Sequence, residues 1–290
     1  MNVEQLEAGV LCNLRAGWWG ASAKYDNEKL GKDVPKDIVR AVQDLLEDKT
    51  MIEQIRTEQR KLKGFVLRNS LPCPIDSVYF VPTEKIPEIQ DEVDRTTEII
   101  YEMVNELVKN YTKLKNSFQK KYPKQYRPEK YPTPERLRNK FYVECSFFQI
   151  GMPDQAVMEI DPERYKKVQE RFQGMAEEIE EMAVTMIGNQ LMLRLDKLQE
   201  QCETGEGIHG RTVGSINRFL ETWQDIWSGH VDDKKLKMIM TRLRNQMKKI
   251  SADRLRDNEE FREVANQKIS QIMKNLSRIP NVELKRKLDI

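Results

Sequence analysis

The sequence predicts a mainly α-helical, elongated protein with a long antiparallel coiled-coil hairpin arm, a small two-stranded β element at its base and a C-terminal helical bundle. Two stretches of the chain carry apolar residues in alternating steps of three and four, the spacing of a coiled-coil seam. The composition is 39% hydrophobic and 33% charged over 290 residues, which favours long helices with polar surfaces. Proline pairs and short apolar runs separate the helical stretches.

The two seams define the arm, which takes up residues 83–204. Its helices are predicted near 83–121 and 161–202, and at 1.5 Å per residue they would span roughly 55 Å and 60 Å. Pairing within one chain buries both seams without the entropic cost of association, so we prefer it to a dimer. The upstream seam comprises Ile86, Ile89, Val93, Ile100, Met103 and Leu107. The downstream seam comprises Tyr165, Val168, Phe172, Met175, Ile179, Met182 and Met186.

Each seam has a defect. Thr96 stands where the upstream seam requires an apolar residue. Gly188 and Asn189 follow directly on the last positions of the downstream seam, and we expect them to end it.

The N-terminal base region is assigned to residues 1–82. Prolines at 72 and 74 interrupt helix formation, because each lacks a backbone donor and disfavours helical geometry in the residue before it. Strands are predicted at 77–81 and 141–148, and we expect them to pair with each other at the foot of the arm. The further predicted elements are a strand followed by a helix within 6–25, a helix near 35–46 and a helix near 51–68.

The C-terminal bundle is assigned to residues 205–279. Gly205, Gly207 and Gly210 are expected to end the long helix at positions that tolerate positive φ. Trp223 and Trp227 lie one helical turn apart and are expected to pack in a core. The predicted helices lie near 212–227, 232–249 and 258–276, and residues 280–290 form a basic tail.

No motif for catalysis, a metal or a cofactor is recognisable. The four cysteines are far apart and near no histidine, which indicates free thiols in a reducing compartment rather than a zinc site. Residues 205–212 have the spacing of a phosphate-binding P-loop, but a long helix precedes them where a P-loop requires a strand. We therefore interpret them as a helix-to-helix turn and expect Gly210→Ala to cost stability. Because no catalytic motif is recognisable, we predict that the protein is not an enzyme. No run of 18 apolar residues occurs, so we predict a cytoplasmic protein.

The charge distribution supplies the candidate contact surface. Residues 113–140 contain ten basic and two acidic residues, a net charge of +8, interspersed with aromatic residues. Single-stranded nucleic acid can use such a combination of cations and rings, and an acidic protein partner could use the cations alone. A solvated helix end, or a contact with the acidic stretch 170–181, is the structural alternative. The candidate contact residues are Lys120, Lys121, Tyr122, Lys124, Tyr126, Arg127, Lys130 and Tyr131.

Five stretches together resemble a bacterial and phage family known only as a domain of unknown function. They are residues 13–24, 78–82, 141–148, 212–219 and 255–257, and the resemblance covers nearly the whole chain. Members of that family are often encoded beside a MoxR-type AAA+ ATPase and a von Willebrand factor A protein. The resemblance therefore implies an adaptor or substrate-side subunit of an ATPase complex, and it implies no site residues.

Together these observations predict a non-enzymatic helical interaction protein with a protein partner and without a cofactor. The alternative is a nucleic-acid-binding protein that uses residues 113–140 and the basic C-terminal helices. Between residue 234 and the end of the chain there are 16 basic and 7 acidic residues, which supports this alternative.

Overall fold

The computed structural model of the chain describes residues 9–25, 41–149 and 161–283, and within them the protein is mainly helical with a small sheet component. The helices are α1 (Thr50–Arg68), α2 (Ile86–Lys121), α3 (Pro134–Arg138), α4 (Pro162–Thr204), α5 (Gly210–Thr222), α6 (Lys234–Met247), α7 (Ala252–Asp257) and α8 (Glu259–Leu276). The strands are β1 (Gly9–Gly17), β2 (Ser22–Lys24), β3 (Val42–Asp44), β4 (Leu71–Pro72), β5 (Val78–Pro82) and β6 (Tyr142–Phe148).

The chain divides into two compact units, each assembled from segments that are distant in the sequence. Unit 1 comprises residues 1–12, 67–85 and 147–290, and unit 2 comprises residues 13–66 and 86–146. This division cuts across the predicted segments 1–82 and 83–204.

The two long helices have the extents that the sequence predicts. Helix α4 begins where the Asp161 side chain accepts a hydrogen bond from the Arg164 backbone N–H, with Pro162 in the first turn. It ends at Gly205, whose φ of 70° is a left-handed backbone conformation that glycine adopts with little strain. Helix α2 follows a short 3-10 turn at Thr83–Lys85 and runs without interruption to Lys121.

The strands at 78–82 and 142–148 are confirmed, but their predicted pairing is wrong. The larger sheet has the order β4-β5-β1-β6, so β1 lies between the two strands that we expected to be neighbours. The β element is therefore larger than the predicted two-stranded one.

The second, two-stranded sheet pairs β2 with β3, in antiparallel register with Ala23 opposite Gln43. We expected helices within 6–25 and near 35–46, and at β2 and β3 this expectation is wrong. The hydrogen bonds between these two strands join residues about 20 positions apart. Residues 1–8, 26–40, 150–160 and 284–290 lie outside the described residues. They include the start of the second predicted helix and most of the basic tail.

In unit 1 the apolar face of α4 packs against α5, α8 and β4. The buried residues of α4 are Phe172, Ala176, Ile179, Ala183, Val184, Ile187, Gly188, Leu191, Met192, Leu195, Leu198 and Cys202. The predicted downstream seam is thus partly wrong: Val168 and Met182 are exposed, and Tyr165, Met175 and Met186 are half-buried.

Gly188 and Asn189 do not end the buried face of α4, as we had expected. Gly188 is buried beneath Val282, close enough that a Cβ atom at Gly188 would lie 2.5 Å from a Val282 methyl carbon. The Asn189 side-chain oxygen accepts a hydrogen bond of 2.9 Å from the Glu283 backbone N–H. The segment that follows α8 therefore packs against α4 at these two residues.

In unit 2 the apolar face of α2 packs in a core with Trp19, Leu45 and residues of α1. Thr96 is buried, so the apparent defect in the upstream seam lies within the buried face. The buried line on α2 consists of Ile89, Val93, Thr96, Ile100, Val104, Leu107, Tyr111 and Phe118. Ile86 and Met103 of the predicted seam are half-buried. Because α2 contributes to the core of unit 2 and α4 to that of unit 1, the predicted coiled-coil hairpin arm is not confirmed.

Candidate functional site

The basic segment, residues 113–140, covers the end of α2, a 3-10 turn and α3, all within unit 2. Its aromatic residues lie largely in the core of that unit. Tyr131 is buried, and its hydroxyl donates a hydrogen bond of 2.7 Å to the Leu45 carbonyl. Its ring lies 5.0 Å from that of Tyr126 and 6.5 Å from that of Phe118, measured between ring centroids. These rings therefore stabilise the fold and are not a free platform for bases.

The buried hydroxyls of this cluster are held in the protonated state. Burial raises the pKa of Tyr131 to about 12, because the interior disfavours the phenolate. The pKa of Tyr111 is also raised, mainly by burial, and its hydroxyl donates a hydrogen bond of 3.0 Å to the Pro132 carbonyl. Both hydroxyls thus tie the loop after α2 to the body of unit 2.

Several of the predicted contact cations also bind within unit 2. Lys121 forms an ion pair with Glu47, and the hydrogen bond and charge of that carboxylate raise the lysine pKa. Lys130 donates a hydrogen bond of 3.1 Å to the Lys24 carbonyl. Arg127 donates to the carbonyl oxygens of Lys124 and Tyr126.

Lys120 and Lys124, two of the eight predicted contact residues, are exposed and make no side-chain hydrogen bond or ion pair with the described residues. Tyr122 is also exposed, but its side chain is hydrogen-bonded to Lys121, and its ring centroid lies 5.1 Å from that of Phe118. Further exposed cations of the same segment follow on α3 and beyond it, at Arg136, Arg138 and Lys140. The segment is therefore a cationic surface with one accessible ring, since Tyr122 is 37% exposed.

A second candidate site, which the sequence did not reveal, is a cavity of about 660 Å³ in unit 1. Four cationic side chains contribute to its wall, together with two carboxylates, four neutral polar groups and three buried apolar residues. The lining residues are Arg68, Asn69, Lys85, Gln190, Arg194, Ser215, Arg218, Phe219, Glu221, Thr222, Asp225, Ile226 and Trp227.

Arg194 is the most deeply placed of these cations. Its guanidinium carbon lies 4.7 Å from the centroid of the Phe219 ring, and one terminal nitrogen donates a hydrogen bond of 2.7 Å to the Gln190 carbonyl. Its Nε atom is buried and has no hydrogen-bond partner among the described residues. Burial lowers the pKa of Arg194, and no charge of a described carboxylate offsets that effect.

The wall opposite α4 contains a π-helical turn, Trp223–Trp227, in which the Ser228 backbone N–H bonds to the Trp223 carbonyl at 2.8 Å. Such turns are rare in helical proteins and occur frequently at functional sites. Trp227 is buried, lies 5.5 Å from the Phe219 ring, and its indole nitrogen finds no acceptor among the described residues. The predicted core packing of Trp223 and Trp227 is confirmed.

The remaining sequence features have structural explanations. Residues 205–210 form the turn between α4 and α5, and Gly205 and Gly207 have positive φ whereas Gly210 does not. The four cysteines form no disulfide with one another; Cys12, Cys73 and Cys202 are buried, and Cys145 is half-buried. No group of three potential metal ligands occurs within the described ranges. None of the helices in those ranges combines the length and the apolar character needed to cross a membrane.

Signals for the cavity exist in the sequence but are weak. Arg194 interrupts an apolar stretch of α4 between Leu191 and Leu195, a position at which a cation requires an explanation. The other cations come from segments near residues 68, 85 and 218, and only folding brings these together.

Comparisons with family descriptions, curated proteins and solved structures gave no match to this chain.

Proposed function

We propose that this chain is a non-enzymatic helical adaptor whose basic segment binds an acidic surface of a protein partner. The observation that carries the proposal is the separation of roles within residues 113–140. Tyr131 and Phe118 belong to the core, whereas Lys120 and Lys124 are exposed. An exposed cationic surface of this kind steers and orients an acidic partner.

The partner that we propose is a MoxR-type AAA+ ATPase or the von Willebrand factor A protein encoded beside it. This part of the proposal rests on the family resemblance of the sequence. The motifs of nucleophilic, metal-assisted or cofactor-dependent catalysis are not recognisable in the sequence, and a role in binding is consistent with that.

Binding of single-stranded nucleic acid is the alternative function. Base stacking on aromatic side chains supplies about 1–3 kcal/mol per base in such complexes. Of the aromatic residues in the basic segment, Tyr122 has an exposed ring, whereas Phe118, Tyr126 and Tyr131 pack against the core. The geometry therefore favours a partner that binds through its negative charge and not through the stacking of bases on aromatic rings.

The test uses the full chain together with a MoxR-type AAA+ ATPase from the same organism. The variant carries Lys120→Glu and Lys124→Glu, because neither side chain pairs with a described residue and the fold should tolerate both changes. We expect the Kd for the ATPase to rise roughly tenfold, since two exposed ion pairs are replaced by like-charge contacts. The matched control carries Lys248→Glu and Lys249→Glu, which make the same charge change at exposed positions of unit 1.

Two outcomes would contradict the proposal. One is equal affinity for the ATPase in both variants, or no complex with either protein of the proposed pair. The other is tight binding of a labelled single-stranded oligonucleotide that weakens with salt and is lost in the variant at residues 120 and 124. That second result would replace the adaptor by the nucleic-acid alternative.

The coiled-coil hairpin of α2 and α4 stays a prediction within this proposal. Spin labels at Tyr101 and Met182, which are exposed positions on the two helices, would report their separation in the full chain and in the ATPase complex. A single short distance that is independent of the partner supports the hairpin, and a long or broad distribution contradicts it.

A further inference from the structure

We infer that the cavity lined by Arg68, Arg194 and Arg218 binds a small anion that carries more than one phosphoryl group. The site belongs to unit 1, whereas the basic segment belongs to unit 2, so the inference does not depend on the proposed adaptor function.

The size of the cavity indicates a small molecule rather than a single ion. Cavities that hold small ligands and cofactors are typically about 300–1,000 Å³, and this one is about 660 Å³. Its wall combines buried apolar surface from Phe219, Ile226 and Trp227 with polar groups from Ser215 and Thr222. A molecule with an uncharged part beside its phosphoryl groups would find contacts for both.

The chemistry of the wall indicates phosphate. Three guanidinium groups and the Lys85 ammonium line one volume, and guanidinium forks match phosphate oxygens with paired, charge-assisted hydrogen bonds. Arg68 and Arg218 are exposed, so their donors are accessible to a ligand.

The position of Arg194 gives the second, independent argument. A half-buried guanidinium without a carboxylate is unfavourable, and its buried Nε atom leaves a donor unused among the described residues. An anion in the cavity would supply the missing counter-charge. The alternative is that Phe219 and the Gln190 carbonyl satisfy Arg194 completely, and this alternative predicts no ligand.

The two carboxylates in the wall provide an internal check. Glu221 and Asp225 are exposed and form no ion pair with the cations of the cavity, so their charges oppose a bound anion. Neutralising a cation should therefore weaken binding, and neutralising Glu221 should strengthen it. A purely structural role of the arginines would not produce this opposite pair of effects.

The experiment is isothermal titration calorimetry of the full chain in a buffer without phosphate, with inorganic pyrophosphate, ATP, inorganic phosphate and citrate as separate probes. We expect one pyrophosphate or ATP per chain, and weaker binding of phosphate and citrate. Equal affinity for pyrophosphate and ATP assigns the recognition to the phosphoryl groups. Tighter binding of ATP assigns part of it to the base and sugar, and either result supports the site.

The variants are Arg194→Gln and Arg218→Gln, with Glu221→Gln as the opposite case. Each arginine change should raise the Kd about tenfold to a hundredfold, the loss expected when a charged hydrogen-bond donor is removed. Arg242→Gln is the matched control, because Arg242 is exposed on α6 of the same unit and outside the cavity. Should Arg194→Gln unfold the protein, the exposed Arg218 still provides the test.

The inference is overturned if neither pyrophosphate nor ATP binds at millimolar concentration. It is also overturned if both arginine variants keep the affinity of the unmodified chain, or if citrate binds as tightly as pyrophosphate. The variant with Lys120→Glu and Lys124→Glu should bind these anions normally, so the failure of one proposal can be distinguished from the failure of the other.

Discussion

Replacing Gly188 by alanine should destabilise unit 1, whereas the same change at Gly174 should stabilise it. Both glycines lie inside α4, where glycine costs about 1 kcal/mol relative to alanine. The two sites differ in their surroundings. A Cβ atom at Gly174 would have no neighbour within 4 Å, whereas one at Gly188 would lie 2.5 Å and 3.0 Å from the two methyl carbons of Val282.

The expected magnitude follows from this geometry. Carbon atoms are in favourable contact at about 3.5–4.0 Å, so the added methyl group at Gly188 is too close to Val282 by roughly 1 Å. Valine has few alternative rotamers, and overpacking of this kind costs about 1–3 kcal/mol. The helix-propensity gain is common to both sites and cancels in the comparison. The free energies of unfolding of the two variants should therefore differ by about 1–3 kcal/mol, with Gly174→Ala the more stable.

The assay is urea denaturation of the full-length variants, followed by circular dichroism, in one buffer and at one temperature. A third measurement places Gly188→Ala in a Val282→Ala background, where the two methyl carbons are absent and the change should become neutral or stabilising. Equal stability of Gly188→Ala and Gly174→Ala would refute the reasoning. So would a penalty at Gly188 that persists after Val282 has been shortened.

The further predictions concern Tyr131 and the glycines Gly205 and Gly210. Tyr131→Phe leaves the Leu45 carbonyl without its hydrogen bond and should cost about 1–3 kcal/mol in urea denaturation. Because the pKa of Tyr131 is raised from 10 to about 12, the folded chain keeps a proton that the unfolded chain releases above pH 10. Stability should thus fall between pH 10 and 12, and fall less in Tyr131→Phe; equal slopes would count against this. Gly205→Ala should cost about 1–2 kcal/mol because φ is 70°, whereas Gly210→Ala should be neutral or stabilising, contrary to the expectation from sequence.

Local signals predicted the long helices well. The periodicity of α1, α2 and α4 covers many turns, and their ends are marked by residues with a specific backbone role, such as Asp161 and Gly205. These signals act over a few residues, so they can be read from the sequence without knowing which segments meet in space.

What each face packs against could not be predicted in the same way. A buried line along a long helix is compatible with a partner helix, a sheet or several short helices, and the first of these suggested a coiled coil. In the structure Val168 and Met182 of the predicted seam are exposed, whereas Ala176 and Ala183, which lie outside it, are buried. Small residues carry little hydrophobic signal, and this favoured the wrong line.

Strand order and the cavity were missed for a related reason. The position of β1 between β5 and β6 depends on contacts between segments more than 60 residues apart along the chain. The cavity draws its cations from four segments, and none of these is unusually basic by itself. The tyrosines of the basic segment were proposed as contact residues, but composition does not distinguish a buried tyrosine such as Tyr131 from an exposed one.

These differences bear on how charge is used to infer function. The basic segment includes Lys121, Arg127 and Lys130, whose charges or donors are used inside unit 2. Arg194 is a lone arginine in an apolar stretch, yet it has the less satisfied environment. An exposed lysine keeps its hydration and contributes little to the free energy of folding, whereas a half-buried guanidinium has lost water and gained no carboxylate. A bound anion would offset that cost in the folded state alone, so its binding energy would add directly to the stability of unit 1. For this reason the environment of a cation is a stronger argument for a ligand than the local density of charge.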